Sequence, residues 1–327
     1  MLESPESKFA IAAVREACAV IRAVQQGLVT AALTKSDKSP VTVADYAAQA
    51  VVARRFATER PDDVLVGEED AGDLRAEQSR ATLDNVTRFV GTCAPGATAE
   101  QVCAWIDRGR ANPTARFWTL DPVDGTKGFL RGEQYAVALG LIETGRVKLG
   151  VLGCPNLRAD GTPDIGGAGA VIAAERGRGT WASSLADERW TRLQVSARSV
   201  PKEARLLRSV EAGHTNVDEM GELVTALGGT AEPVLMDSQA KYAVLAAGCG
   251  ELLFRLLSPS KPDYRERIWD QAAGSIVVEE AGGTVTDLDG KTLDFSRGRT
   301  LAANRGVVAS NGVLHDAALA ALRRIGA

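Results

Sequence analysis

The stretch Phe117-Trp118-Thr119-Leu120-Asp121-Pro122-Val123-Asp124-Gly125-Thr126-Lys127-Gly128 constrains this chain more than any other. An apolar run ending in Asp121 reads as a buried strand. Pro122 biases the aspartate before it away from helical angles, so the chain is expected to turn there as it leaves a sheet. Asp124-Gly125 continues the turn. Two carboxylates, a backbone carbonyl and a hydroxyl are thereby gathered at one bend, an oxygen set without sulfur or imidazole that suits hard divalent cations such as Mg²⁺. Taken alone, the string is also readable as a capped turn, because Asp, Gly and Thr are ordinary turn residues.

Two further acidic sites bear on that choice. Asp63-Val64-Leu65-Val66-Gly67 reads as a short strand delivering Glu68-Glu69-Asp70, and Trp269-Asp270 opens a helix expected over 268–280, ended by Gly282-Gly283. Singly they read as a solvated acidic loop and an N-cap. Together with the 121–124 turn they supply enough separated carboxylates to hold more than one metal ion, which points toward phosphate chemistry.

Charge and composition exclude several other classes. A net charge of −4 argues against a polymeric nucleic acid partner, which needs basic patches to displace counterions. With only two histidines, His214 and His315, a histidine-ligated zinc centre is close to excluded. The five cysteines are scattered without a CxxC pair and read as reduced, small apolar residues. No apolar stretch is long enough to span a membrane, and the acidic start Met1 to Glu6 lacks the features of a secretory signal, so a cytoplasmic setting is expected.

Along the 327 residues, apolar spacing predicts a first helix over 8–27 and a second from Asp45 through Phe56, with Asp45 near its start, where the helix dipole favours a carboxylate. Residues 71–116 read as an insertion with two helical patterns. A hairpin is expected around Glu143-Thr144-Gly145, followed by strands near 169–174 and 179–182. From Ala204 the pattern becomes alternating strands and helices. These readings divide the chain into an α+β unit over 1–198 and an α/β unit over 199–327. Gly166-Gly167-Ala168-Gly169 lacks the third glycine of a dinucleotide fingerprint, and Gly125-Thr126-Lys127-Gly128 is not a P-loop.

The motifs Val66-Gly67-Glu68-Glu69, Leu120 to Thr126 and Ile268-Trp269-Asp270-Gln271-Ala272-Ala273-Gly274 occur in an order that resembles the metal-dependent, lithium-sensitive phosphatase superfamily, which includes inositol monophosphatase, fructose-1,6-bisphosphatase and 3′(2′),5′-bisphosphate nucleotidase. The resemblance runs from the first helix to Ser310. It implies a layered αβαβα sandwich and metal ligands at Glu68, Asp121, the Val123 carbonyl, Asp124 and Asp270, with Glu69 acting through water. It also implies roughly two or three Mg²⁺ ions per site, a water-activating pair in Asp45 and Thr126, and phosphoryl contacts at Gly125 and Thr126.

Thr126 to Gln134, the long insertion and Met236 to Tyr242 resemble the nucleotidase branch most closely. That branch implies removal of the 3′-phosphate from adenosine 3′,5′-bisphosphate, action on the sulfated analogue, a link to sulfur assimilation, and a monomer or homodimer with a small-molecule bisphosphate nucleotide as its partner. Ser238 and Lys241 are then candidates for sugar and phosphate, His214 for base or ribose, and Arg255, Tyr264 and Arg267 for the rest of the pocket. From the residues alone, His214 is equally a surface loop histidine, Lys241 an exposed helix lysine, Arg255 a surface strand residue, and Tyr264 and Arg267 solvated loop residues. The alternatives are an inositol phosphate phosphatase on the same scaffold and a catalytically inactive nucleotide-binding regulator; the latter has no need of Asp45 and Thr126.

Overall fold

Ser4 and Pro5 begin the first helix as first-turn chemistry allows. Ser4 Oγ accepts the Ser7 N–H at 3.1 Å, and Pro5 has no N–H to leave unpaired at the start of α1 (Pro5–Val24). In the computed structural model, which describes residues 2–29, 39–210, 217–229 and 232–327, α1 packs along α2 (Ser39–Glu59). The α-helical ladder of α1 stops at Val24, where Gln25–Val29 widen into a π turn, three residues short of the predicted end at Gly27. The start of α2 is six residues ahead of Asp45, so Asp45 stands inside the helix, beyond the first turn where the dipole acts.

After β1 (Leu65–Gly67) the insertion folds as α3 (Arg80–Val90) and α4 (Ala99–Asp107), both against α2; a reciprocal Thr98–Gln101 box starts α4. This crossover lets β2 (Arg116–Asp124) run parallel to β1. A short α5 (Thr126–Arg131) follows. Then β3 (Ala136–Glu143), β4 (Arg146–Cys154), β5 (Ala170–Glu175), β6 (Gly179–Ser184) and β7 (Thr191–Leu193) form an antiparallel meander, so spatial order equals chain order across seven strands. Thr144 and Gly145 take φ of 49° and 76° at the expected hairpin, matching the twist of its strands. In β3, Val137, Leu139 and Leu141 join the core under α1 and α2, while Ala136, Ala138 and Ile142 face the opposite core.

The strand does not end at Asp121 as Pro122 led us to expect. Asp121 pairs with Ala138 and Asp124 with Ala136, so Pro122 and Val123 together oppose Val137 in a bulge before pairing resumes. Proline has no ladder donor and is tolerated in such a bulge.

The second sheet contains β8 (Leu206–Arg208), β9 (Val234–Leu235) and β10 (Leu252–Arg255), with α6 (Val217–Ala226) and α7 (Ala240–Ala246) between them in the chain. It is completed by β11 (Thr284–Thr286) and β12 (Val307–Ser310) after α8 (Ala272–Glu280), in the order β11-β12-β10-β8-β9. The last helix, α9 (His315–Ile325), packs with α6 outside it, whereas α7 and α8 lie between the two sheets. The layers are therefore helices, sheet, helices, sheet, helices, the predicted sandwich. Gly150 on β4 lets α8 lie close, since a Cβ there would come 2.5 Å from Ile276 Cγ2 and 2.7 Å from the Ala273 carbonyl.

Helix α8 starts four residues after the predicted Ile268. The Ile268 N–H donates to the Arg299 carbonyl at 3.2 Å and Arg267 bridges Thr300, so a neighbouring segment holds this stretch out of helical conformation and Asp270 projects from a turn. Among the described residues, no helix is long and apolar enough to cross a membrane, and all five cysteines are free.

Candidate active site

A cavity of about 360 Å³ opens where the ends of β1 and β2 meet the start of α7, the end of β10 and the turn before α8. One rim carries Glu68, Asp121, Val123, Asp124 and Asp270. Three segments deliver these residues. Parallel pairing of β1 with β2 sets Glu68 beside the strand carrying Asp121, with the Glu68 N–H on the Leu120 carbonyl at 3.2 Å. The bulge re-aims the chain between Asp121 and Asp124. The 268–271 turn brings Asp270 from the second half of the chain.

Burial is the leading cause of raised pKa values throughout this rim. Asp121 and Asp270 are held well above the usual carboxylate range by burial and then by each other's neighbours, Glu68 and Asp124. Glu68 is raised by burial and by Asp124, although a hydrogen bond with Asp121 opposes the shift. Asp124 is raised by burial, against the pull of Lys241, Arg255 and the Gln239 N–H. Asp121 is buried, Asp124 and Asp270 are half-buried and Glu68 is exposed at the edge, and four mutually repelling carboxylates so grouped call for positive charge.

The residues fit a divalent cation. Asp121 Oδ1 is buried with no hydrogen-bond partner among the described residues, an acceptor left open. The donors are carboxylates and one backbone carbonyl, the hard oxygen set that Mg²⁺ prefers. They ring the cavity without closing on one point: among the described residues, no three acidic, histidine or cysteine side chains are already arranged to hold an ion.

Asp45 and Glu69 stand behind this rim and do not line the cavity. Asp45 is 8% exposed and its pKa is pushed well up by burial, then by Glu69 and Glu68. Burial, Glu68 and Asp70 raise Glu69 to about 7. Thr126, at the first position of α5, does line the cavity and is exposed, but no hydrogen bond joins it to Asp45 among the described residues. Gly125 takes φ 89° ahead of it, a conformation in which a Cβ would also come 2.8 Å from Ser238 Cβ.

The opposite wall is cationic. Lys241 is no exposed helix lysine: it is 6% exposed, its Nζ donates to the Met236 carbonyl at 3.2 Å, and burial lowers its pKa to about 8, with Asp124 opposing. Ser238, with φ 69°, caps α7 by accepting the Ala240 N–H at 3.1 Å. Arg255 holds Glu266 at 2.7 and 3.3 Å, and that carboxylate is the first cause raising the arginine's pKa. Tyr264 lines the mouth, 39% exposed. Arg267 does not line the cavity; it lies over the Trp269 ring at 5.7 Å. His214 lies outside the described residues.

Several residues here escaped the sequence reading. Glu266, 5% exposed, also accepts Gln271 Nε2 at 2.8 Å, and Gln271 accepts the Tyr242 hydroxyl, so a chain of buried polar groups backs Arg255. Asp237 takes Arg131 and accepts the Ser209 hydroxyl at 2.7 Å. Gln49 accepts the Glu69 N–H at 3.0 Å and donates to the Ile106 carbonyl at 2.9 Å, tying the insertion to the acidic loop. Its only sequence signal is the four-residue spacing from Asp45 on the same helix.

Comparison with known proteins matches this architecture. The profile of the inositol monophosphatase family covers residues 3–327. The chain is 43% identical to a 3′(2′),5′-bisphosphate nucleotidase of Schizosaccharomyces pombe, over 93% of this chain and 91% of that one. It is 42% identical to a 3′(2′),5′-bisphosphate nucleotidase of Oryza sativa, over 95% and 91%. Among solved structures, Mycobacterium tuberculosis SuhB superposes with a TM-score of 0.64 at 22% identity, covering 98% of this chain and 96% of its own, a likeness of fold.

Proposed function

Because the chain belongs to the inositol monophosphatase family, we propose that it is a Mg²⁺-dependent phosphomonoesterase that removes the 3′-phosphate from adenosine 3′,5′-bisphosphate, with the 3′-phosphoadenylyl sulfate analogue as a second substrate. The observation that carries this reading is one cavity with a carboxylate rim on one side and Lys241 and Arg255 on the other. Such a cavity suits a substrate with two phosphates: one meets the rim through cations, the other the cationic wall. We assign Glu68, Asp121, the Val123 carbonyl, Asp124 and Asp270 to hold roughly two or three Mg²⁺ ions, with Glu69 acting through water.

Bound there, Mg²⁺ supplies charge against the phosphoryl oxygens and lowers the pKa of a water beside them. Thr126 Oγ1 receives a proton from the attacking water and passes its own toward Asp45, which sits behind the rim as the final acceptor. The new bond forms between the water oxygen and phosphorus, the bond from phosphorus to O3′ breaks, O3′ takes a proton from a solvent water to become the hydroxyl of AMP, and AMP and phosphate leave. Gly125 and Thr126 face the phosphoryl group, while Ser238, Lys241, Arg255 and Tyr264 orient the nucleotide. His214 and Arg267 remain candidates for nucleotide contacts. The same reading places the division of the chain between 1–198 and 199–327 and the working enzyme in the cytoplasm.

Phosphate release from adenosine 3′,5′-bisphosphate, with and without Mg²⁺, against an inositol monophosphate tests this directly. Mg²⁺-dependent release from the nucleotide is expected, and release from the inositol ester alone would overturn the substrate assignment. Asp121→Asn should abolish turnover by weakening cation binding. Thr126→Ala should bind Mg²⁺ normally and lower kcat by about 100-fold or more, the usual worth of a positioned proton acceptor.

A further inference from the structure

Between the two turns that carry the acidic rim stands the start of α7, and Gln239 there touches both. Gln239 is 2% exposed. Its backbone N–H donates to Asp124 Oδ2 at 2.7 Å. Its side chain, which also lies against Asp124, reaches the second turn: Nε2 donates to the Trp269 carbonyl at 3.0 Å, and Oε1 accepts the Gly274 N–H at 3.0 Å. These two contacts bracket Asp270.

Gly274 is the third residue of α8, so its N–H is among those a helix leaves without an internal partner, and the N-cap residue Gln271 makes no side-chain cap. Gln239 supplies that cap from another helix. The backbone around it is close: a Cβ on Gly274 would come 2.2 Å from the Tyr242 ring, and one on Gly125 2.8 Å from Ser238 Cβ. Asp270 itself belongs to the non-helical stretch before α8, so its placement depends on contacts of this kind.

We propose that Gln239 is a positioning residue that sets Asp270 against Asp124 across the junction of the two sheets, and thereby sets how tightly the rim holds a divalent cation. The proposal rests on Asp124 and Asp270 being cation ligands. An amide suits the post because it donates and accepts at once, which neither a carboxylate nor an alkyl chain can do.

Two variants separate the clamp from the cap. Gln239→Glu keeps an acceptor for the Gly274 N–H but, as a carboxylate, offers no donor to the Trp269 carbonyl; its charge is favoured by the helix start and opposed by burial beside Asp124. The added charge alone would tighten cation binding, so weaker binding in this variant reports the lost donor. Gln239→Ala loses both contacts.

The measurements are Mn²⁺ binding to the metal-free protein by electron paramagnetic resonance, the Mg²⁺ concentration for half-maximal phosphate release, the KM for nucleotide at saturating Mg²⁺, and thermal melting. Both variants should hold Mn²⁺ about 10- to 100-fold more weakly and need correspondingly more Mg²⁺, the usual cost of losing a group that orients a ligand. KM should change little, and metal-free Gln239→Glu should keep a melting transition, below that of wild type, which Mg²⁺ raises. Unchanged Mn²⁺ affinity in either folded variant overturns the proposal. So does loss of the melting transition in both, because Gln239 would then be a packing element. A wild-type protein that binds no Mn²⁺ overturns the cation site itself, and the proposal with it.

Discussion

Lys241 shows how one buried side chain makes this cavity sensitive to pH. Burial takes its pKa down to about 8, so the ammonium is present below that value and is lost as the pH rises through it. If the charge holds a substrate phosphate, KM for adenosine 3′,5′-bisphosphate should rise by about tenfold between about pH 7 and pH 9.5, the worth of one charge-assisted contact. Lys241→Arg should carry the rise to higher pH, because a guanidinium stays charged there. A KM profile for the two proteins checks this, and a rise at the same pH in both would exclude Lys241. Neither the burial nor the shift was visible in the sequence, where a lysine in a short helix reads as solvated. The carboxylates were legible as candidates only together, because each alone has an ordinary local explanation as a capped turn, a solvated loop or an N-cap.

At the scale of elements, the cavity depends on α8 lying close against the first sheet. Gly150→Ala puts a methyl 2.5 Å from Ile276 Cγ2 and 2.7 Å from the Ala273 carbonyl, so helix or strand must shift. It should destabilise the protein by about 1–3 kcal/mol, the usual range for an overpacked core. Gly221 is the contrast. It lies exposed in α6 with nothing within 4 Å of a Cβ, so Gly221→Ala should stabilise by up to about 1 kcal/mol through helix propensity. Denaturant midpoints of the two variants should therefore move in opposite directions. Strand alternation and the 143–145 hairpin were readable from period and turn chemistry. The bulge at Pro122–Val123 and the late start of α8 were not, since each is imposed by a neighbour: β3 in one case, the 299–300 segment in the other.

For the whole molecule, the acidic rim is a cost in folding that a bound cation would relieve. Glu68, Asp121, Asp124 and Asp270 are brought together only when both halves of the chain are folded, so a cation bound there stabilises the native state. Mg²⁺ at about 100 times its dissociation constant should add about 2.7 kcal/mol, read as a raised melting temperature that a chelator reverses. Asp121→Asn removes one of the repelling charges. Its metal-free melting temperature should exceed that of metal-free wild type, while its response to Mg²⁺ should be largely lost. An equal Mg²⁺ response in the variant would mean that the ion binds elsewhere.

The sequence by itself carried most strands, helices and the 143–145 hairpin, because side-chain period and turn chemistry are local properties that survive in one dimension. The layered architecture and the roles of the acidic candidates came from motif order, through resemblance to a family. Only the tertiary structure decided that Asp45 lies inside its helix, that Lys241 and Glu266 are buried, and that Gln239 spans Asp124 and the turn of Asp270. The physical reason is that a glutamine's or lysine's role is set by what lies within hydrogen-bond reach. For Gln239 those partners are 30 to 115 residues away along the chain, brought near only by the packing of two sheets around α7 and α8.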